Sequence, residues 1–84
     1  MFTVYILYSN AFCKTYVGYT SNIEERMKSH NFLDKKAWTT RYRPWTIIHT
    51  EEFADKSSAM KRELYFKTGT GRDLVKKLIE EKAY

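Results

Sequence analysis

Four polar side chains near the start of the chain have types and spacings that suit chemistry at one surface. Tyr5 lies in a short apolar segment, and Tyr16 follows eleven residues later as the first residue of the tripeptide YVG. Arg26 comes ten residues after Tyr16, and His30 lies about one helical turn beyond it. Two phenols, a guanidinium and an imidazole can bind an anion and move protons.

A carboxylate in an unexpected position adds a fifth group. The segment after Asp55 predicts a helix over residues 56–67, capped by that aspartate. Its apolar side chains form one arc on the helical wheel: Ala59, Met60, Leu64 and Phe66. Glu63 falls inside this arc, where an ionised carboxylate is costly unless it is paired, hydrogen-bonded or bound to a metal. An ion pair with an arginine and a carboxylate at a cleft both agree with this position.

These five groups suit the hydrolysis of a phosphodiester. Arg26 can hold a phosphate oxygen and stabilise negative charge in the transition state. Glu63 can be the protein ligand of one Mg²⁺, a cation that prefers oxygen and keeps several waters. A metal-bound water, or a tyrosine whose pKa is lowered by a nearby cation, would supply the base or nucleophile.

A β-hairpin is the element that must position the two tyrosines. Residues 2–9 are almost continuously apolar and predict a strand, and residues 14–20 predict a second strand after a short turn. Antiparallel pairing across a four-residue loop sets Tyr5 opposite Gly18. Tyr5 and Tyr16 are then diagonal neighbours on one sheet face, with space left above Gly18.

A helix must carry the arginine and the histidine. Ser21 begins a capping-box pattern, so we expect a helix from there to about Asn31. Arg26 and His30 are four residues apart and therefore project to the same side.

The second half of the chain predicts a third strand and two helices. Pro44 leads into an apolar run that begins at Trp45 and extends toward Phe53. Thr70 is the predicted N-cap of a final helix over about Arg72–Lys82.

Length and composition limit the class of protein. With 84 residues we expect a single domain covering residues 1–84. A single cysteine excludes metal sites built from several thiolates, and no apolar run is long enough to span a bilayer. These features favour a cytoplasmic protein without membrane partners. The net charge of +5 favours a polyanionic partner.

One segment alternates cations with aromatic rings. The cations are Lys35, Lys36, Arg41 and Arg43, and the rings are Trp38, Tyr42 and Trp45. This pattern suits phosphate contacts with stacking on bases. The pattern also agrees with a solvated loop whose aromatic side chains anchor it to the core, and taken alone it favours that loop slightly.

The ordered set of motifs resembles the GIY-YIG endonucleases over nearly the whole chain. Thr3-Val4-Tyr5 and Tyr16-Val17-Gly18 stand where that family has its two tripeptides. Arg26 matches the arginine of its first helix, His30 a position that holds His or Tyr, and Glu63 its metal-binding glutamate. The resemblance implies an α/β protein of the α+β kind, with a three-stranded antiparallel sheet flanked by helices.

Within that family the chain looks most like small stand-alone bacterial proteins related to the N-terminal nuclease domain of the excinuclease C subunit. The segments RYRP, at residues 41–44, and FAD, at residues 53–55, carry this likeness. Two positions depart from the pattern. Thr3 replaces a glycine, and Val75 stands where the excinuclease-type domain has an asparagine.

The resemblance implies a DNA endonuclease that uses one Mg²⁺ or Mn²⁺ ion and acts in repair or recombination. Its catalytic residues would be Tyr5, Tyr16, Arg26 and His30, with Glu63 on the metal. RNA as substrate stays open. Two alternatives remain: a non-catalytic nucleic-acid-binding module that stacks bases on Trp38 or Trp45, and a subunit that works only with a protein partner in a repair complex.

Overall fold

A computed structural model of the protein describes residues 1–28 and 42–82, and shows a three-stranded antiparallel sheet with helices. The strands are β1 (Phe2–Ser9), β2 (Lys14–Thr20) and β3 (Thr46–Phe53). Their order is β2-β1-β3, so β1 is central and β2 forms an outer edge. The predicted fold class is therefore confirmed.

Three helices accompany the sheet: α1 (Ile23–Lys28), α2 (Lys56–Phe66) and α3 (Gly69–Lys82). Asp55 caps α2 as predicted, because its carboxylate accepts a hydrogen bond of 2.9 Å from the Ser58 backbone N–H. The part of the first helix predicted to continue to Asn31 lies outside the described residues. Among the helices described, none has the length and apolar character that crossing a bilayer requires.

Two predicted helix caps are wrong by one or two residues. Asn22, not Ser21, caps α1, since its Oδ1 accepts from the Glu25 N–H at 3.2 Å. Thr68, not Thr70, caps α3, where its hydroxyl accepts from the Gly71 N–H at 3.3 Å. A Cβ on Gly71 would overlap the Tyr65 carbonyl at the end of α2, so this glycine permits the tight α2–α3 junction.

Alternate side chains of β1 belong to two different clusters. Val4 and Ile6 lie in an apolar core that α2 and α3 cover. The residues buried with them are Ile48, Ala59, Phe66 and Val75. Tyr5 and Leu7 face the other way and pack with Trp45, against Ile23 and Met27 of α1. This alternation follows from the period of two in a strand.

The buried stripe of α2 differs from the predicted apolar arc. Ala59 and Phe66 are buried, but Met60 is 42% and Leu64 60% exposed. The sheet-facing position between the two buried residues is taken by Arg62, whose guanidinium lies 4.5 Å from the centre of the Phe66 ring. Arg62 also donates to the Glu51 carboxylate at 2.7 Å. The sheet side of α2 thus holds a paired cation, and two of the predicted core residues, Met60 and Leu64, are exposed.

Candidate active site

The two tyrosines meet above Gly18, as the hairpin register predicts. Tyr5 pairs with Gly18 and Leu7 with Tyr16 in the β1–β2 ladder. The rings of Tyr5 and Tyr16 have centroids 6.2 Å apart at an interplanar angle of 30°. A Cβ at Gly18 would lie only 2.6 Å from the Tyr5 hydroxyl, so the absence of a side chain there lets that phenol cross β2.

Arg26 of α1 joins this pair. Its Nε donates a hydrogen bond of 3.3 Å to the Tyr5 hydroxyl. This bond raises the pKa of Arg26, and a weaker one with the Tyr16 hydroxyl acts in the same direction, so the guanidinium stays charged. Arg26 is nevertheless exposed, which leaves a cation anchored by phenols at the protein surface.

Tyr5 is held in its neutral form. Burial raises the pKa of Tyr5 to about 12, and the charges of Tyr16 and Glu63 act in the same direction, while the hydrogen bond from Arg26 opposes them. At neutral pH the phenol therefore keeps its proton and can donate it in a hydrogen bond. This state suits the positioning of a water or phosphate oxygen better than proton abstraction.

Trp45 supports Tyr16 from the side. Their ring centroids lie 6.4 Å apart at 59°, and Trp45 is only 4% exposed. The sequence-based suggestion that Trp45 stacks on a nucleic-acid base is therefore wrong, because the indole is already enclosed in the cluster around Tyr5 and Leu7.

Glu63 has a lysine as its partner rather than an arginine. Its Oε1 lies 3.1 Å from Nζ of Lys67, one turn further along α2, and the Glu63 side chain is 17% exposed. Within residues 1–28 and 42–82, the suggested ion pair of Glu63 with an arginine is not found. The Glu63 charge contributes to the raised pKa of Tyr5, which indicates that the carboxylate lies near the tyrosine site. The i,i+4 spacing of Glu63 and Lys67 was the sequence signal for this pair.

The donor set agrees with a single magnesium ion and one protein ligand. Within residues 1–28 and 42–82 there is no group of three histidine, cysteine, aspartate or glutamate side chains that could hold a metal. Mg²⁺ needs fewer, since it keeps several waters and often binds through one or two carboxylates. Glu63, whose carboxylate already attracts the ammonium of Lys67, offers oxygen atoms of the kind that such a site needs.

Several predicted site residues cannot be placed. His30, Lys35, Lys36 and Arg41 lie outside the described residues, and so does Trp38. Arg43 is described and is half-buried. The parts of the proposed set that the structure brings together are therefore Tyr5, Tyr16 and Arg26, with Glu63 nearby.

The position of the excinuclease asparagine belongs to the core here. Val75 is 6% exposed and packs with Phe66 and Ile48 in the apolar cluster beneath α2 and α3. An amide in that environment would need buried partners, so valine fits the packing of this chain.

Comparison with known protein families assigns this fold and motif set. The model of the GIY-YIG catalytic domain matches residues 1–77. The chain belongs to the GIY-YIG family. This is a family of nucleases that act on DNA. The two aligned tripeptides, with Tyr5 and Tyr16, and the helix carrying Arg26 all lie within the matched range.

Relatives of similar size belong to the UPF0213 group of proteins. A UPF0213 protein of Staphylococcus haemolyticus is 40% identical over 67 residues, which are 80% of this chain and 80% of the relative. The UPF0213 protein YazA of Bacillus subtilis is also 40% identical over 67 residues, or 80% of this chain and 67% of its own. A third, from Halobacterium salinarum, is 42% identical over 52 residues, or 62% of this chain and 68% of the relative. These small GIY-YIG proteins agree with the predicted stand-alone subgroup.

Proposed function

We propose that this GIY-YIG protein is a divalent-metal-dependent endonuclease that hydrolyses DNA phosphodiester bonds in repair or recombination. The observation that carries the proposal is the exposed Arg26 guanidinium, anchored on the buried Tyr5 hydroxyl at 3.3 Å beside Tyr16. A cation held by two phenols has little structural use at a surface, but it is well suited to bind a scissile phosphate.

Arg26 is the phosphate-binding group in this proposal. A guanidinium has five N–H donors, so contacts with two tyrosines leave donors for phosphate oxygens. Because the hydrogen bond to Tyr5 fixes the side chain before substrate arrives, little ordering entropy remains to be lost on binding. The charge would then stabilise the negative oxygens of the transition state.

The tyrosines orient the reacting oxygen atoms. Tyr5 keeps its proton at neutral pH, and its buried hydroxyl acts through Arg26, whose guanidinium it holds in place for the phosphate oxygens. Tyr16, which is half-buried and beside it, would hold the water on the same face. His30 would assist proton transfer, as its position one turn after Arg26 in the sequence suggests.

Glu63 would be the protein ligand of one Mg²⁺ or Mn²⁺ ion. When bound, such an ion supplies charge stabilisation and lowers the pKa of a coordinated water. Lys67 would have to leave the Glu63 carboxylate, because both cations compete for the same oxygens. The half-buried position of Glu63 supports a role beyond that of a solvated helix charge.

The test is cleavage of a panel of nicked, branched, single-stranded and duplex DNAs, each with and without Mg²⁺. We expect metal-dependent cleavage of at least one substrate by the wild-type protein and none by Glu63→Ala. Glu52→Ala is the matched control, because Glu52 is an exposed glutamate on β3 and its loss should leave cleavage unchanged.

Two results would count against the proposal. Undiminished metal-dependent cleavage by a folded Glu63→Ala variant would remove the assigned metal ligand. Salt-sensitive DNA binding without cleavage of any substrate, unaffected by Mg²⁺, would instead identify a non-catalytic nucleic-acid-binding module.

A further inference from the structure

A groove of about 670 Å³ lies along the outer edge of β2. Thr15, Tyr16 and Val17 all line it, although successive side chains of a strand point to opposite faces, so the groove follows the strand edge itself. Its other wall comes from the end of α2 and from α3. Tyr16 lines the groove and also belongs to the candidate active site, so the two share this residue of β2.

The rim of the groove is cationic. Among the described residues that line it are three exposed cations, Lys67, Arg72 and Lys76, and no acidic side chain. The acidic residues of α3 that the structure describes do not line it; they are Asp73, Glu80 and Glu81. The acidic side chains of α3 thus lie outside the groove lining, which includes Arg72 and Lys76.

The floor of the groove is apolar. Phe66 and Val75 are almost fully buried beneath it, and the apolar surface that it exposes comes from the half-buried Tyr8, Val17 and Ile79. Val75, Lys76 and Ile79 follow Arg72 by three, four and seven residues in α3. This spacing places all four residues on one face of the helix. One face of α3 therefore offers cations and apolar surface together.

This combination fits an unpaired nucleotide strand better than a duplex. Proteins that hold single strands combine a cationic groove for the phosphates with apolar or aromatic surface for the bases. A duplex would use the cations but hides its bases in the stack, so the apolar floor would have no occupant. The volume lies within the range of roughly 300–1,000 Å³ in which pockets enclose ligands of nucleotide size.

We propose that this groove binds a single-stranded segment of DNA, with phosphates on Lys67, Arg72 and Lys76 and bases on the apolar floor. The strand leads past Tyr16 into the candidate active site, so substrates with an unpaired strand or flap are favoured over plain duplex. This inference rests on the proposed function for the choice of DNA as ligand. Lys67, which also pairs with Glu63, lies where the groove meets the candidate site.

Binding measured in EDTA tests the groove without any need for cleavage. A fluorescent single strand of about 20 nucleotides and the duplex of the same sequence are titrated with wild-type protein and with the double variant Arg72→Gln/Lys76→Gln. Losing two phosphate contacts should weaken single-strand binding at least about tenfold and reduce the salt slope by about 1.4, or 0.7 for each contact. The matched control is Lys61→Gln/Lys77→Gln, which removes the same charge from exposed lysines outside the groove lining and should leave both values unchanged.

Cys13 provides an independent footprint. It is the chain's single cysteine, is exposed, and lines the groove. We expect the single strand to slow alkylation of its thiol by N-ethylmaleimide at least about fivefold at saturation, and the duplex to have little effect.

The outcomes separate this inference from the proposed function. Equal binding by the groove and control variants, an unprotected Cys13, a duplex bound as tightly as the single strand, or a preference for RNA of the same sequence would each overturn it. A protein that cleaves no DNA but binds single strands through Arg72 and Lys76 would support the groove and contradict the nuclease. DNA cleavage that the double variant leaves unchanged would support the nuclease and contradict the groove.

Discussion

The two faces of the central strand differ in what their side chains contact. Val4 and Ile6 of β1 point into a core closed by α2 and α3, where the neighbours are apolar. Tyr5, between them, points to the other face, and its hydroxyl accepts a hydrogen bond from the exposed Arg26. Both faces are equally buried at β1, since Val4 is 1% and Tyr5 0% exposed.

The difference lies in the polar atoms rather than in burial. Burying a phenol is costly unless its hydroxyl is hydrogen-bonded, and here the partner is a cation that could otherwise be fully solvated. A phenylalanine at position 5 would fill the same space without that requirement. We therefore infer that the face with Val4 and Ile6 stabilises the fold. The face with Tyr5 keeps a polar group that serves the chemistry of the candidate site.

The largest effect on stability should come from the core face. Phe66→Ala removes a ring that is 1% exposed and contacts both the core cluster and Arg62. We expect a loss of about 3–5 kcal/mol in the free energy of unfolding, measured with urea. Met60→Ala on the same helix should cost less than about 0.5 kcal/mol, because Met60 faces solvent. Similar losses for both variants would contradict the assignment of the buried stripe.

Arg26→Ala should have a large effect on the cleavage rate and a small effect on stability. Loss of a preorganised donor to the developing charge should lower the cleavage rate by about 10²–10³-fold. The unfolding free energy should fall by only about 1 kcal/mol, the typical value of one hydrogen bond. Lys28→Ala, an exposed cation on the same helix, serves as the control. If both variants cleave equally well, Arg26 does not bind the scissile phosphate.

Gly18→Ala tests the close approach between the strands. The new methyl would meet the Tyr5 hydroxyl at 2.6 Å and Cζ at 2.8 Å, which should cost about 1–3 kcal/mol of stability. The two closest contacts are with the end of the Tyr5 phenol, and Tyr16 Cε1 follows at 3.0 Å, so Tyr5→Leu in the same chain should recover part of the loss. Simple addition of the two losses in a double-mutant cycle would show that the methyl clashes elsewhere.

The smallest effect concerns the charged contacts on the core face. Partial burial disfavours the ionised form of Glu51, but hydrogen bonds from Arg62 and His49 outweigh it and lower the pKa below 4.5. A lowered folded-state pKa means that the stabilisation is present above pH 4.5 and is lost as pH falls through the folded value. The pair is about a quarter exposed on the Glu51 side, so screening limits it to about 1 kcal/mol or less.

This pH dependence is measured by comparing unfolding of wild type and Glu51→Gln at pH 7 and pH 3. The difference between the two proteins should be largest at pH 7 and should shrink as the pH falls through the folded-state pKa of Glu51. A difference that persists unchanged at low pH would show that packing, not charge, is responsible.

Much of the fold could be predicted because its signals are local. The strand limits and the β1–β2 register follow from the apolar run, the short loop and the period of two, and these also place Tyr5 over Gly18. The helix caps were harder to predict, because neighbouring candidates are equally good N-cap residues. Asparagine at 22 and serine at 21 are both favoured types, and positions 68 and 70 are both threonine. Neighbouring cap residues compete, and packing decides between them.

The face of α2 could not be predicted from its own residues. A helical wheel counts Arg62 as polar and assigns it to solvent, but Glu51, eleven residues earlier on β3, accepts its hydrogen bonds. Two aromatic rings at 4.5 and 4.8 Å also cover its guanidinium. Glu51, the residue that keeps Arg62 on the sheet side of α2, belongs to β3. The local sequence pattern of α2 therefore contains no sign of this contact.

The most direct measurement is the cleavage rate of Tyr5→Phe set beside its unfolding free energy. This change removes one oxygen atom and keeps the ring that fills the space above Gly18. We predict that the free energy of unfolding changes by no more than about 1 kcal/mol, while the single-turnover cleavage rate falls at least about tenfold. A cleavage rate equal to that of wild type would contradict the conclusion that the tyrosine face serves chemistry rather than folding.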